Sequence, residues 1–287
     1  MNTPIVVGVD GSRQSLRAAA WAAAEAALRH APLHIVNAFG IPGAFDGETK
    51  PPGDWLDPHR RESESIVRAA VEGAERRHPR LVTEQESVYE AAVPLLLRRS
   101  EGTRMMVVGS AGRGVLGDLV VGSVVTALAT HARCPVAVIR GEERGGEAPV
   151  VAGVDGGPAS EAVLALAFEE ASVHGAPLVA LHVWADLNAA RIFAGALAPF
   201  DVEPVRQAET RVLAEALAGW QEKFPDVEVR PVVEQDSPRQ RLLEWSRRAR
   251  MVVVGSRGRG GFTGLLLGST SQALIQHAGC PVLVIRR

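Results

Sequence analysis

Lysine is nearly missing from this 287-residue chain: it occurs only at Lys50 and Lys223, although lysine and arginine together number 31. Cysteine occurs twice, tyrosine once, and aromatic residues are 5% of the whole. The lysine deficit, which suits a GC-rich genome, leaves no Gly-x-x-x-x-Gly-Lys-Ser/Thr, so the P-loop lysine and its magnesium-holding hydroxyl are absent. No Gly-x-Ser-x-Gly nucleophile elbow occurs either. The eight histidines contain no helical i, i+4 pair joined to a glutamate, which argues against a catalytic zinc. Cys134 and Cys280 could form a disulfide or a redox pair. Without a secretion signal at either end, a buried free thiol in each is the simpler expectation. No apolar run has membrane-spanning length, and the Ala-rich stretch 18–28 is interrupted by Glu25. A formal charge of −2 gives no electrostatic footprint for nucleic acid or an anionic membrane. A soluble, cytoplasmic protein is expected.

What the chain has instead is a stretch written twice. Residues 105–140 read MMVVGSAGRGVLGDLVVGSVVTALATHARCPVAVIR, and residues 251–286 read MVVVGSRGRGGFTGLLLGSTSQALIQHAGCPVLVIR. They align without a gap, and more than half of the positions match. Each holds an apolar run, Gly-x-x-Gly, nine residues and Gly-Ser. The duplication predicts two domains, residues 1–141 and 148–287, each large enough to bury its own core. The polar stretch 141–148 between them reads as a linker.

Within each copy, apolar β-branched runs alternate with helical patterns. In the first, runs at 4–9, 33–39, 81–88, 105–108 and 135–139 predict strands. Helices are expected from Ser12 or Ser15 to about His30, then over 59–77, 95–99 and 123–131. In the second, strands are expected at 150–154, 178–184, 227–233 and 252–254, with helices at 159–174 and 204–223. Long loops are expected at 40–58 and 185–203. Strands apolar throughout, separated by helices, predict an α/β fold: two tandem open parallel sheets with helices on both faces.

A loop that leaves a parallel strand and enters a helix lies where open α/β sheets bind ligands. Gly109, Gly112 and Gly122, with Gly255, Gly258 and Gly268, therefore predict two phosphate cradles. The first two glycines of each set are expected to reach positive φ and to admit a ligand to the backbone. The helices starting at Gly122-Ser123 and Gly268-Ser269 offer free N–H groups and a positive dipole end. Arg113 and Arg259 stand ready to neutralise phosphate, or are simply solvated. Asp10 and Asp155 end the first strand of each copy. Being anionic they should meet sugar or base, unless they only form Asx-turns. His131 and His277 suit helix C-termini. Asp118 is replaced by Gly264 in the second copy, so no shared catalytic carboxylate is expected there.

This combination resembles the universal stress protein family in its tandem two-domain form. The residues that carry the resemblance are GVDGS at 8–12, GVDGG at 153–157, the two Gly-x-x-Gly-x9-Gly-Ser runs, and the closing CPVAVIR and CPVLVIR. The resemblance implies Rossmann-like five-stranded sheets of order 3-2-1-4-5, with the last strands serving as a pairing edge, and one ATP per domain, with or without Mg2+. The implied first pocket is lined by Gly8, Asp10, Ala38, Gly109, Ser110, Ala111, Gly112, Arg113, Gly114, Gly122, Ser123 and Val124. The second is lined by Gly153, Asp155, Val183, Gly255, Ser256, Arg257, Gly258, Arg259, Gly260, Gly268, Ser269 and Thr270. It further implies a homodimeric, ATP-responsive stress regulator with little fast catalysis. The alternative is a slow ATPase or an adenylating enzyme on a related fold.

Overall fold

The computed structural model describes residues 3–40, 53–112, 122–184, 203–259 and 267–286. The chain divides into two compact units, Met1–Arg140 and Gly141–Ile285. In unit 1 the elements run β1 (Ile5–Gly8), α1 (Arg13–Leu28), β2 (Leu33–Ala38), α2 (Gly53–Arg77), β3 (Thr83–Val88), α3 (Ala92–Arg99), β4 (Met105–Gly109), α4 (Ser123–His131) and β5 (Val136–Ile139). Unit 2 repeats the series: β6 (Val150–Gly153), α5 (Ser160–His174), β7 (Leu178–Trp184), α6 (Glu203–Leu217), α7 (Trp220–Lys223), β8 (Val229–Gln235), α8 (Pro238–Ser246), β9 (Met251–Gly255), α9 (Ser269–His277) and β10 (Val282–Ile285).

Every strand pairing within a unit is parallel. The orders are β3-β2-β1-β4-β5 and β8-β7-β6-β9-β10, the expected 3-2-1-4-5 in each copy. Central strands bury both faces: Ile5, Val7, Leu33, Ile35, Met106 and Val107 are 0% exposed. That explains why they read as unbroken apolar runs rather than alternating ones. The edge strands are protected differently. β3 is Thr-Glu-Gln-Glu-Ser-Val, and β8 carries Arg230 and Pro231; charge and a missing donor both discourage pairing with another chain.

Three boundaries depart from expectation. The helix expected to start at residue 59 starts at Gly53 and contains Pro58. A proline removes one ladder bond, which a helix packed along its length absorbs. The helix expected over 204–223 breaks at Gly219, whose φ of 77° no regular helix accepts. The stretch read as a linker is fastened to unit 2. Glu142 N and Arg144 Nη1 both donate to Gly279 O, at 2.9 and 3.0 Å. Arg250 Nη2 donates to Gly146 O at 3.2 Å. Gly141, at φ 58°, lies so near the Gly279 backbone that a Cβ has no room. Both cysteines are free and buried, and burial pushes the Cys134 thiol up to about 12, so it is not a nucleophile. No described helix is long and apolar enough to cross a membrane.

Candidate functional site

In each unit the site forms at the C-terminal edge of the sheet, where the first strand lies between the second and fourth. β1 pairs with both β2 and β4, and β6 with both β7 and β9. The connections from β1 and β4 therefore emerge side by side. Asp10 and Asp155 leave the first strands, and the glycine loops leave the fourth.

In unit 2 the aspartate ties these loops together, and in unit 1 it lies beside the glycine loop. Asp155 Oδ1 accepts from Gly157 N at 2.8 Å and from Ser160 Oγ at 3.1 Å, while Oδ2 accepts from Arg259 N at 2.6 Å. Asp10 Oδ1 accepts from Ser12 N at 2.9 Å, and its Oδ2 lies 2.8 Å from where a Cβ on Gly112 would stand. The Asx-turn is thus present in both copies. It holds Gly11 and Gly156 at φ 81° and 68°, a region that side-chain-bearing residues rarely adopt. Ser12 then caps α1 by accepting from Ser15 N at 3.1 Å.

The loop glycines act otherwise than expected. None of Gly109, Gly112, Gly122, Gly255, Gly258 and Gly268 has positive φ. Gly109 is required by packing: a Cβ there would meet the Gln14 backbone at 2.8 Å, and on Gly255 it would meet Arg257 O at 3.0 Å and Ala159 Cβ at 3.1 Å. Gly8 and Gly153 face Leu96 and Leu242, at 3.1 and 3.2 Å from the would-be Cβ, so their smallness serves the helix beneath the sheet. Gly112 and Gly258 differ: a Cβ on either would come near only the aspartate carboxylate. Among the described residues, nothing else stands within 4 Å of these two positions.

The helices that follow complete the cradle. Gly122 and Gly268 are the N-caps of α4 and α9, with extended φ/ψ of −63°/146° and −68°/146°, and neither helix has a side-chain cap. First-turn amides need an acceptor, and none is supplied by a cap side chain. Ser123 and Ser269 are exposed at these ends, with Val124 and Thr270 half-buried behind them. Ser110, Ala111 and Ser256 are buried; Ser110 N and Ser256 N bond the ends of β5 and β10 through Ile139 O and Ile285 O. Arg257 is exposed. Arg259 lies over Gly156 and Gly157, its Cγ 3.2 Å from the Cβ that Gly157 lacks, so its guanidinium rests on the Asp155 turn. Ala38 is half-buried and Val183 buried at the ends of β2 and β7. Arg113, Gly114, Asp118, Gly260 and Gly264 lie outside the described residues.

One support of the site was missed in the sequence. The carbonyl preceding each aspartate is held by a buried polar side chain from the second strand. In unit 1, Asn37 Nδ2 donates to Val9 O at 2.5 Å, and Asn37 Oδ1 accepts from Ser63 Oγ of α2 at 2.5 Å. In unit 2, His182 stands 2.7 Å from Val154 O through Nδ1 and 2.7 Å from Glu209 of α6 through Nε2. The signal was a polar residue at matching places in the two second strands. His131, by contrast, does what its position suggested, with Nδ1 3.1 Å from Ala127 O in the last turn of α4.

The model of the Usp family, described as the universal stress protein family, matches residues 1–140 and again 148–286. The chain belongs to the universal stress protein family. Universal stress protein Rv2005c of Mycobacterium tuberculosis is 42% identical over 301 residues, covering 99% of this chain and 97% of its own. A universal stress protein of Mycolicibacterium smegmatis is 40% identical over 294 residues, covering 98% and 96%. Among solved structures, a universal stress protein from Archaeoglobus fulgidus covers 100% of this chain and 99% of its own, at a TM-score of 0.70 and 17% identity, a likeness of fold. As a tandem universal stress protein, the chain carries two copies of one frame. The uncapped Gly-Ser helix start, the Asx-turn at the aspartate and the carbonyl-holding side chain occur in both units.

Proposed function

We propose that each unit binds one adenine nucleotide, ATP in the first instance, and that occupancy rather than turnover is the output. The observation that carries the reading is the pair of uncapped helix starts at Gly122 and Gly268, each facing the crossing where Gly112 or Gly258 lies beside an aspartate. The polyphosphate belongs at those amides, which supply oriented N–H groups and the positive end of the helix dipole. Ser123, Ser269 and the Gly112 and Gly258 backbone complete the anion contacts. Any Mg2+ arrives on the phosphates. The adenosine lies toward Asp10 and Ala38, or Asp155 and Val183, as the family resemblance implies. Asp155 already accepts from three donors; a ribose hydroxyl adds to its Oδ2 or displaces the Arg259 amide.

A regulatory module is the better reading than an enzyme because the cradle consists of main-chain amides and hydroxyls. No activated nucleophile or lysine stands among the described residues of the site. Two chains pairing in the cytoplasm completes the proposal; sedimentation tests it. The decisive experiment is mass spectrometry of the small molecule released from heat-denatured protein, with absorbance at 260 nm giving the stoichiometry. Adenine nucleotide approaching two per chain is expected. Protein that neither carries nor takes up ATP at millimolar concentration overturns the reading, and phosphate or pyrophosphate release on a seconds timescale replaces it with an enzyme.

A further inference from the structure

At the opposite edge of the unit 1 sheet, a cleft of about 480 Å³ opens where α1 and α2 end and β2 and β3 begin. Its floor is apolar: Ala26, Ala31, Pro32, Leu81 and Val82. Val82 is 63% exposed, an unusual state for a valine beside a core. Its rim is basic, with Arg77, His78 and Arg80. Arg77 donates to Gly73 O at 3.1 Å and so satisfies the end of α2. Among the described residues, neither His78 nor Arg80 has a hydrogen-bonding or ionic partner for its side chain.

Unit 2 carries different side chains at the same place. Residues 26–32, AALRHAP, align with 171–177, ASVHGAP, and 78–82, HPRLV, align with 224–228, FPDVE. Phe224 stands where unit 1 has His78, and it stacks on Phe168 at 5.4 Å between ring centroids. Ser172 and Asp226 stand where unit 1 has Ala27 and Arg80, and Ser172 Oγ donates to Asp226 Oδ2 at 2.6 Å, joining the two walls. Val227 is 2% exposed, whereas its counterpart Leu81 is half-buried. The exposed Val82 is replaced by Glu228. Unit 2 thus carries a ring, a serine–carboxylate bond between the two walls and acidic residues at these positions. Unit 1 removes the ring and the bond, reverses the charge and exposes apolar surface.

We propose that the unit 1 cleft is a binding site for a small aromatic carboxylate. The ring lies on Ala31, Pro32 and Leu81, beside the position that Phe224 takes in unit 2. The carboxylate meets the Arg80 guanidinium, which can grip it with two parallel N–H bonds, and His78 beside it. The volume suits a bicyclic ring, within the range of small-molecule sites. The site is independent of the nucleotide cradle, which lies at the other end of the strands.

The test titrates the whole protein with 2-naphthoate by calorimetry, beside the neutral 2-naphthalenemethanol. Saturable binding of one naphthoate per chain is expected, at least about tenfold tighter than the alcohol. The double substitution His78→Phe with Arg80→Asp, which installs unit 2 chemistry, should weaken naphthoate at least about tenfold and leave nucleotide content unchanged. Arg80→Ala, an exposed change, gives the same readout should the double variant fold poorly. The proposal is overturned if naphthoate fails to saturate at millimolar concentration, if the alcohol binds equally well, or if the Arg80 variants bind as the parent does.

Discussion

The two units agree in backbone and disagree in the side chains that support it. Both place an Asp-Gly turn with positive φ beside an uncapped helix start. Yet the carbonyl before the aspartate is held by Asn37 and Ser63 in one and by His182 and Glu209 in the other. The helix pair behind the sheet is closed by Ala23 and Ala74 in unit 1, both almost fully buried. In unit 2, Phe168 and Trp220 take those places and stack at 5.3 Å and 12°. The difference teaches that a cradle of main-chain amides constrains only the path of the chain. Different side chains can hold the same path, so the supporting pairs drift between the copies while the glycines, the aspartate and the helix starts are kept.

The largest effect that follows is in the aromatic support. Phe168 is 1% exposed and contacts both Trp220 and Phe224. Phe168→Ala should destabilise unit 2 by about 3–5 kcal/mol, seen as an earlier thermal transition in calorimetry. The reverse change, Ala23→Phe, should overfill unit 1 and cost about 1–3 kcal/mol. If the two changes move the same transition equally, the units do not differ in the way described.

Next in size is the polar support. His182→Asn shortens the side chain and leaves the Glu209 carboxylate facing a group that no longer reaches it. A lost bond to a charged, part-buried group costs about 1.5–3 kcal/mol. Adding Glu209→Ser rebuilds the Asn–Ser pair of unit 1 and should recover most of the loss in a double-mutant cycle. No recovery would mean that the two supports are not equivalent.

How much of this was legible beforehand follows from which forces carry local signals. The parallel α/β architecture was readable because buried parallel strands are apolar runs, while the strand order followed from the family resemblance. The roles of individual glycines were not readable. Gly109 looked like a ligand contact, but what forbids a side chain there is the Gln14 backbone at the start of α1, ninety-five residues earlier in sequence. His182 and Asn37 were overlooked for the same reason: their partners come from other elements. Pro58 and Gly219 misplaced helix boundaries in opposite directions. Tertiary packing carried one helix through a proline, while a glycine with φ 77° ended another that its composition favoured.

The glycines themselves separate packing from binding. Gly109→Ala should cost about 1–3 kcal/mol, since the new methyl meets backbone that cannot easily move. Gly255→Ala should cost less, its neighbours being slightly farther away. Gly112→Ala should cost less than Gly109→Ala and lower retained nucleotide, because among the described residues only the Asp10 carboxylate, a side chain rather than backbone, lies near it. Equal retention in Gly112→Ala and the parent would remove the phosphates from that position.

The smallest contrast is in acid. Glu86 of β3 receives two bonds from Arg99 of α3, at 2.8 and 2.5 Å. The Arg99 hydrogen bonds hold its carboxyl below the usual carboxylate range, against a smaller opposing effect of burial. Glu234 of β8 is held low in the same sense by Arg241. A carboxylate whose folded value is depressed stabilises the fold above its unfolded value, and that contribution disappears as pH falls through the folded value. Arg99 is 39% exposed on its side chain, so solvent screening limits the Glu86 pair to about 0.5–1 kcal/mol. Glu86→Gln should therefore lower unit 1 stability at neutral pH and not in strong acid, where the parent carboxyl is also protonated. A deficit that persists unchanged at the lowest pH would assign the loss to packing of the side chain rather than to its charge.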